Sequence, residues 1–153
     1  MQKTIVSDTS CLILLEKIGE LEILEKVYSE ITVTSVVAAE FGSDLPDWFR
    51  IEDPSTHSVE KVAKSRIDHG EVTAIALALD LKDCLLIIDD LRGRSVAESL
   101  GIKVTGTLGV FIEAKQSGYL PSIKPILRKI QDTDFRLSDK LIDLALNRAG
   151  ESI

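Results

Sequence analysis

The sequence predicts an α/β fold, a three-layer α/β/α sandwich around a mostly parallel central sheet. Two observations carry this. Short β-rich apolar runs alternate with segments of helical periodicity. One run, Leu85-Leu86-Ile87-Ile88, is apolar without a break, as in a strand covered on both faces of a parallel sheet.

The elements follow in order. Thr4-Ile5-Val6 is the first strand, ending at Ser7-Asp8. Residues 10–18 place Leu12, Leu15 and Ile18 on one helical face; Gly19 breaks that helix, and residues 20–28 form a second with Leu21, Leu24 and Val27. Ile31-Thr32-Val33 is a strand, after which Thr34 or Ser35 caps a helix through about Phe41. Residues 42–47, with Pro46, are a turn. Phe49-Arg50-Ile51 reads as a short strand and residues 57–67 as a polar helix. Glu71 to Leu81, rich in Ala and Leu, is a helix by propensity. After the strand at 85–88 come a helix over 91–100 and a strand over 101–105. Helices are expected over 107–117, 122–131 and 138–148, the last capped by Ser138. No repeat, low-complexity tract or linker divides the chain, so residues 1–153 are expected to form one domain with C-terminal helices from about 120.

Composition narrows the function. A chain of 153 residues can bury a full core. With 44% hydrophobic and 28% charged residues it is neither disordered nor collagen-like. Its net charge of −7 argues against binding nucleic acid by bulk attraction alone. The acidic excess belongs to residues 1–119, with 12 basic against 20 acidic side chains. Cys11 and Cys84 sit among apolar neighbours and read as buried thiols. No signal-like or membrane-spanning apolar segment is present, so a cytoplasmic location is expected.

The carboxylates stand at informative places. Asp8 ends the first strand and Asp89-Asp90 end the most apolar one. In open α/β sheets, ligands bind outside the carboxyl ends of strands. Glu71 opens a helix after Asp68-His69-Gly70, and Glu40 stands in an apolar segment, Val36-Val37-Ala38-Ala39-Glu40-Phe41. Each acid alone has a structural reading: Asp8 as a helix cap, Glu71 as a complement to the helix dipole, Asp89-Asp90 as cap and turn. As a set, acids from distant segments expected at one end of one sheet repel, unless a cation keeps them ionised. Oxygen ligands without His or Cys suit Mg2+ or Mn2+. His57 and His69 read as surface residues. One or two such ions can activate water and stabilise a leaving oxygen at phosphorus. Arg92 and Arg94 follow at a helix start and could meet phosphate.

Together, Val6-Ser7-Asp8-Thr9-Ser10, Glu40 in its segment, Gly70-Glu71-Val72-Thr73-Ala74 and Leu86-Ile87-Ile88-Asp89-Asp90-Leu91-Arg92-Gly93-Arg94 resemble the PIN domain, and more narrowly the VapC-like toxin ribonucleases. Val104-Thr105-Gly106-Thr107-Leu108-Gly109 and Phe135-Arg136-Leu137-Ser138 resemble one prokaryotic subgroup. The resemblance implies a PIN-like sandwich and Mg2+- or Mn2+-dependent cleavage of single-stranded RNA. It implies Asp8, Glu40, Glu71 and Asp90 as catalytic acids, with Glu71 where many members carry Asp. Asp8, Glu71 and either Asp89 or Asp90 would hold metal, Asp90 being favoured. Ser10 would support Asp8, while Thr9 reads as a helix-start residue. A small protein antitoxin and a homodimer are implied partners. The alternative is a PIN-fold interaction module without turnover.

Overall fold

A computed structural model describes residues 3–151. Within these residues five strands form one all-parallel sheet: β1 (Thr4–Ser7), β2 (Ile31–Val33), β3 (Phe49–Ile51), β4 (Cys84–Ile87) and β5 (Lys103–Thr105). The spatial order is β3-β2-β1-β4-β5. The chain winds outward from β1 to β3, crosses back, and continues from β4 to β5. The reversal falls between β1 and β4, which pair from Thr4 opposite Cys84 to Ser7 opposite Ile87. A crevice at the carboxyl ends of such a pair is where open α/β sheets bind ligands.

Nine helices occur among the described residues: α1 (Thr9–Lys17), α2 (Ile23–Tyr28), α3 (Ser35–Phe41), α4 (Thr56–Ala63), α5 (His69–Asp80), α6 (Leu91–Ser99), α7 (Thr107–Gln116), α8 (Lys124–Gln131) and α9 (Asp139–Arg148). The sheet separates two apolar cores, as the period-2 alternation of strand side chains requires. Ile5 and Ile87 join Leu12, Leu15, Val110, Phe111 and Ile130 on one face. Val6, Leu86 and Ile88 join Val62, Ile75 and Leu77 on the other. The three-layer α/β sandwich expected from the sequence is therefore present. Helix α5 is buried from Val72 to Ala78, so its run of Ala and Leu reflects a helix packed nearly all round.

The boundaries differ from the sequence reading at backbone turning points. Helix α2 starts at Ile23, not 20, because Gly19 takes the left-handed conformation (φ 74°) and turns follow it. Helix α4 is capped by Ser55 and ends by Lys64, short of 67. Arg66 stands at φ 56°, where a helix cannot continue. β5 begins at Lys103 because Gly101, at φ 79°, turns the chain first. Helix α8 begins at Lys124, with Pro125 in its first turn, where a missing N–H is harmless.

A buried chain of hydroxyls fixes α3 against α5. Thr34 Oγ1 accepts from Val37 N–H at 3.1 Å and lies 2.8 Å from Thr73 Oγ1. Thr73 donates to the Gly70 carbonyl at 2.9 Å. The proton order is then settled: Thr34 donates to Thr73, and no member lacks a partner. This chain ends in the first turn of α5, next to Glu71.

Candidate active site

Asp8 leaves β1 and caps α1, its Oδ1 accepting from Cys11 N–H at 3.2 Å. The structural reading of this residue is thus correct for one oxygen. The other oxygen has no such explanation. Asp8 is 1% exposed, and its Oδ2 is buried without a hydrogen-bond partner. It is the only such side-chain atom among the described residues. An unpartnered buried carboxylate oxygen is costly unless a positive charge or proton reaches it. Burial pushes the Asp8 carboxyl from 3.8 up to about 7; the Cys11 amide opposes this, and Asp89, Glu71 and Asp90 reinforce it.

Asp8 shares an open cleft of about 250 Å³ with Thr9, Ser10, Glu40, Asp68, His69, Gly70 and Glu71. Glu71, in the first turn of α5, is half-buried. Its carboxyl is raised by burial, then by the charges of Asp90, Asp68 and Glu40. Glu40, near the end of α3, resolves its apolar sequence setting by reaching solvent and accepting from Thr9 Oγ1 at 2.6 Å.

The Asp89-Asp90 doublet divides its work. Asp89 is half-buried and turned toward α7. Its Oδ1 accepts from Thr107 N–H at 2.8 Å and its Oδ2 from the Thr107 hydroxyl at 2.5 Å. Helix α7 has Gly106 at its N-cap, with no side chain to cap it, so Asp89 supplies the missing acceptor from across the sheet edge. Asp90 is exposed and caps α6, its Oδ2 accepting from Gly93 N–H at 2.9 Å. Of the two, Asp90 is the more open to an incoming ligand.

Three glycines make room for three of the acids. A Cβ on Gly70 would fall 2.1 Å from Glu40 Oε1, and one on Gly93 3.0 Å from Glu71 Oε2. One on Gly106 would fall 2.7 Å from Asp89 Oδ1 and 2.9 Å from Arg94 Nη1. Arg94 is half-buried beside this point, with Nη1 3.5 Å from the Ile88 carbonyl. Arg92 is exposed and donates to the Ser65 carbonyl at 3.2 Å. Neither arginine forms an ion pair among the described residues.

Asp8, Glu40 and Glu71 line one cleft, while Asp89 and Asp90 stand outside its lining and act on Asp8 through their charge; among the described residues no three His, Cys, Asp or Glu side chains form a ready-made metal cage. The donor set nonetheless fits a hard divalent cation. It is all oxygen, its acids act on one another's charge, and Asp8 Oδ2 lacks any other partner.

A family model described as DUF3368, a PIN domain, matches residues 4–151 of the chain. The chain belongs to the PIN domain family. Membership assigns it a nuclease fold. No curated protein matches the chain. No helix among the described residues of this PIN domain is long and apolar enough to cross a membrane.

Sequence reading missed several residues that shape the PIN site. Thr9 is the first residue of α1, as expected, and also the partner of Glu40. His69 is exposed, as expected, yet lines the cleft with Asp68. Gly70, directly before Glu71, was visible in the sequence, but not as the place that Glu40 fills. Thr107 carried no signal beyond standing at a helix start. Ser10 is exposed on the cleft, while the Cys11 amide holds Asp8. Both cysteines are buried and free. Burial, reinforced by Asp89 and Asp8, pushes the Cys11 thiol well above 9.0, and burial pushes Cys84 up to about 11. Neither thiol is a nucleophile at neutral pH.

Proposed function

We propose that this PIN domain is a metal-dependent endoribonuclease cleaving single-stranded RNA, the toxin of a VapC-like toxin–antitoxin pair. One observation carries the nuclease reading above all: Asp8 Oδ2, buried and unpartnered at the reversal of the sheet, with Glu71, Asp89 and Asp90 raising its proton affinity. Asp8, Glu71 and Asp90 would hold Mg2+ or Mn2+. Bound there, the ion supplies a water of lowered pKa and charge compensation at phosphate. Glu40, at the rim, orients the attacking water and receives its proton. Asp89 holds the N-terminus of α7 through Thr107. Arg92 at the start of α6 meets a substrate phosphate by exchanging its bond to the Ser65 carbonyl. Arg94, packed against the Ile88 carbonyl, adds positive charge behind the acids. The toxin role, a small antitoxin offering Arg or Lys to the acids, and a homodimer rest on the sequence resemblance.

A mixed single-stranded RNA library incubated with Mn2+, Mg2+ or EDTA tests the proposal. Wild type is expected to cleave only with metal, and Asp8→Asn not at all. Cleavage in EDTA would refute the metal role. Absence of cleavage in every condition would favour the interaction-module reading.

A further inference from the structure

We infer that Thr9 is a positioning residue that holds Glu40 in a seat left open by Gly70, presetting this acid for the hydrolysis proposed above. The inference rests on that reading of the site. An exposed glutamate ordinarily samples several rotamers, and fixing one costs conformational entropy. Glu40 is exposed, yet two other helices meet its carboxylate. From α1, Thr9 Oγ1 donates to Oε1 at 2.6 Å, a charge-assisted bond. From α5, Gly70 leaves a space that Oε1 fills, only 2.1 Å from where any Cβ would stand. Gly70 is the second residue of α5, whose N-cap, Asp68, makes no side-chain cap bond. The Glu40 carboxylate therefore lies against the first turn of α5. Helix α3, which carries Glu40, is itself tied to α5 by the Thr34–Thr73–Gly70 hydroxyl chain. Thr9 and Glu40 both line the cleft, so the bond sits where substrate arrives. A surface tie of this kind contributes little to stability, which leaves orientation as its effect.

The test compares Thr9→Val, Thr9→Ser, Gly70→Ala, Glu40→Gln and the Thr9→Val/Glu40→Gln pair. Side-chain 13C relaxation of Glu40 in metal-free protein should show an ordered carboxylate arm in wild type and Thr9→Ser. It should show a mobile arm in Thr9→Val and a displaced one in Gly70→Ala. In RNA cleavage with Mn2+, Thr9→Val should lower kcat about tenfold at unchanged KM, since small misplacements of a catalytic group cost rates of this order. Thr9→Ser should recover to within about twofold, and the pair should be no slower than Glu40→Gln alone. Equal Glu40 mobility in wild type and Thr9→Val would overturn the inference. So would a kcat loss in Thr9→Val that adds to that of Glu40→Gln. A wild type that cleaves no RNA would sink the nuclease reading instead, while the relaxation data would still decide whether Thr9 orders Glu40.

Discussion

Replacing Asp8 by Asn should stabilise the metal-free protein at high pH while abolishing cleavage. Asp8 titrates near 7 in the fold against an ordinary 3.8. At about 1.4 kcal/mol per tenfold change in proton affinity, the difference amounts to about 4 kcal/mol. The folded pKa is the higher one, so the native state binds the extra proton. Its contribution to stability is fully present below pH 3.8 and is lost as pH rises through about 7. About 3 kcal/mol of that loss falls between pH 5 and pH 8. For a chain of this size it corresponds to roughly 5–10 °C in melting temperature. The Asn variant keeps an oxygen to cap α1 and carries no charge to bury. Scanning calorimetry of both proteins in EDTA from pH 5 to pH 8 should therefore show the variant flat at this site and the wild type falling away from it. Added Mn2+ should raise the wild type at pH 8 and leave the variant nearly unmoved, since only the charged site gains from binding. Parallel melting curves across that pH range would refute the burial of an ionised Asp8.

Gly93→Ala should lower stability by about 1–3 kcal/mol through overpacking, because its Cβ would stand 2.7 Å from Ile88 Cδ1, and should reduce activity by displacing Glu71; thermal melting and RNA cleavage check both. Thr107→Val strips the hydroxyl from Asp89 Oδ2 and should cost about 1–3 kcal/mol in urea unfolding, a larger loss than removal of an exposed hydroxyl such as Ser10→Ala. Against the upward push of burial, Ser122, the Ile123 amide and Lys115 hold the Glu151 carboxyl down at about 2 from 4.5. That stabilisation is present above pH 4.5 and is lost as pH falls through about 2, so Glu151→Gln should melt lower than wild type at pH 7, with the gap narrowing in acid. Arg92→Ala should weaken RNA binding equally across sequences and flatten its salt dependence, as expected for a phosphate contact; binding measured at several salt concentrations checks it.

The sheet was legible because strand burial leaves a direct imprint. Leu85 to Ile88 had no polar interruption, and β4 occupies Cys84–Ile87. The acids at strand ends were legible too, since Asp8 and Asp89-Asp90 need only the strand boundary to be placed. What escaped sequence reading is what depends on how one element meets another. Thr9 follows Asp8 in a helix start, and nothing local says that its hydroxyl reaches an acid 31 residues away. The doublet was divisible only once α7 was in place, because Thr107 draws Asp89 aside. The glycines were visible as residues but not as seats, since the side chain that occupies each space comes from a distant segment. The ends of α2 and α4 were misjudged for a simpler reason. A left-handed residue such as Gly19 or Arg66 stops a helix whatever the periodicity that follows.

Pairing of Ser7 with Ile87 has a mechanical corollary. Asp8 and the doublet emerge from adjacent strands, whose separation is dictated by main-chain bonding at about 4.8 Å. Glu40 and Glu71 ride on α3 and α5 instead, coupled through two threonines. Three of the five acids are thus set by the spacing of two strands, and the other two by the packing of one helix against another. The threonine pair between α3 and α5 therefore governs the distance between Glu40 and Glu71, as main-chain bonding governs that between Asp8 and the doublet.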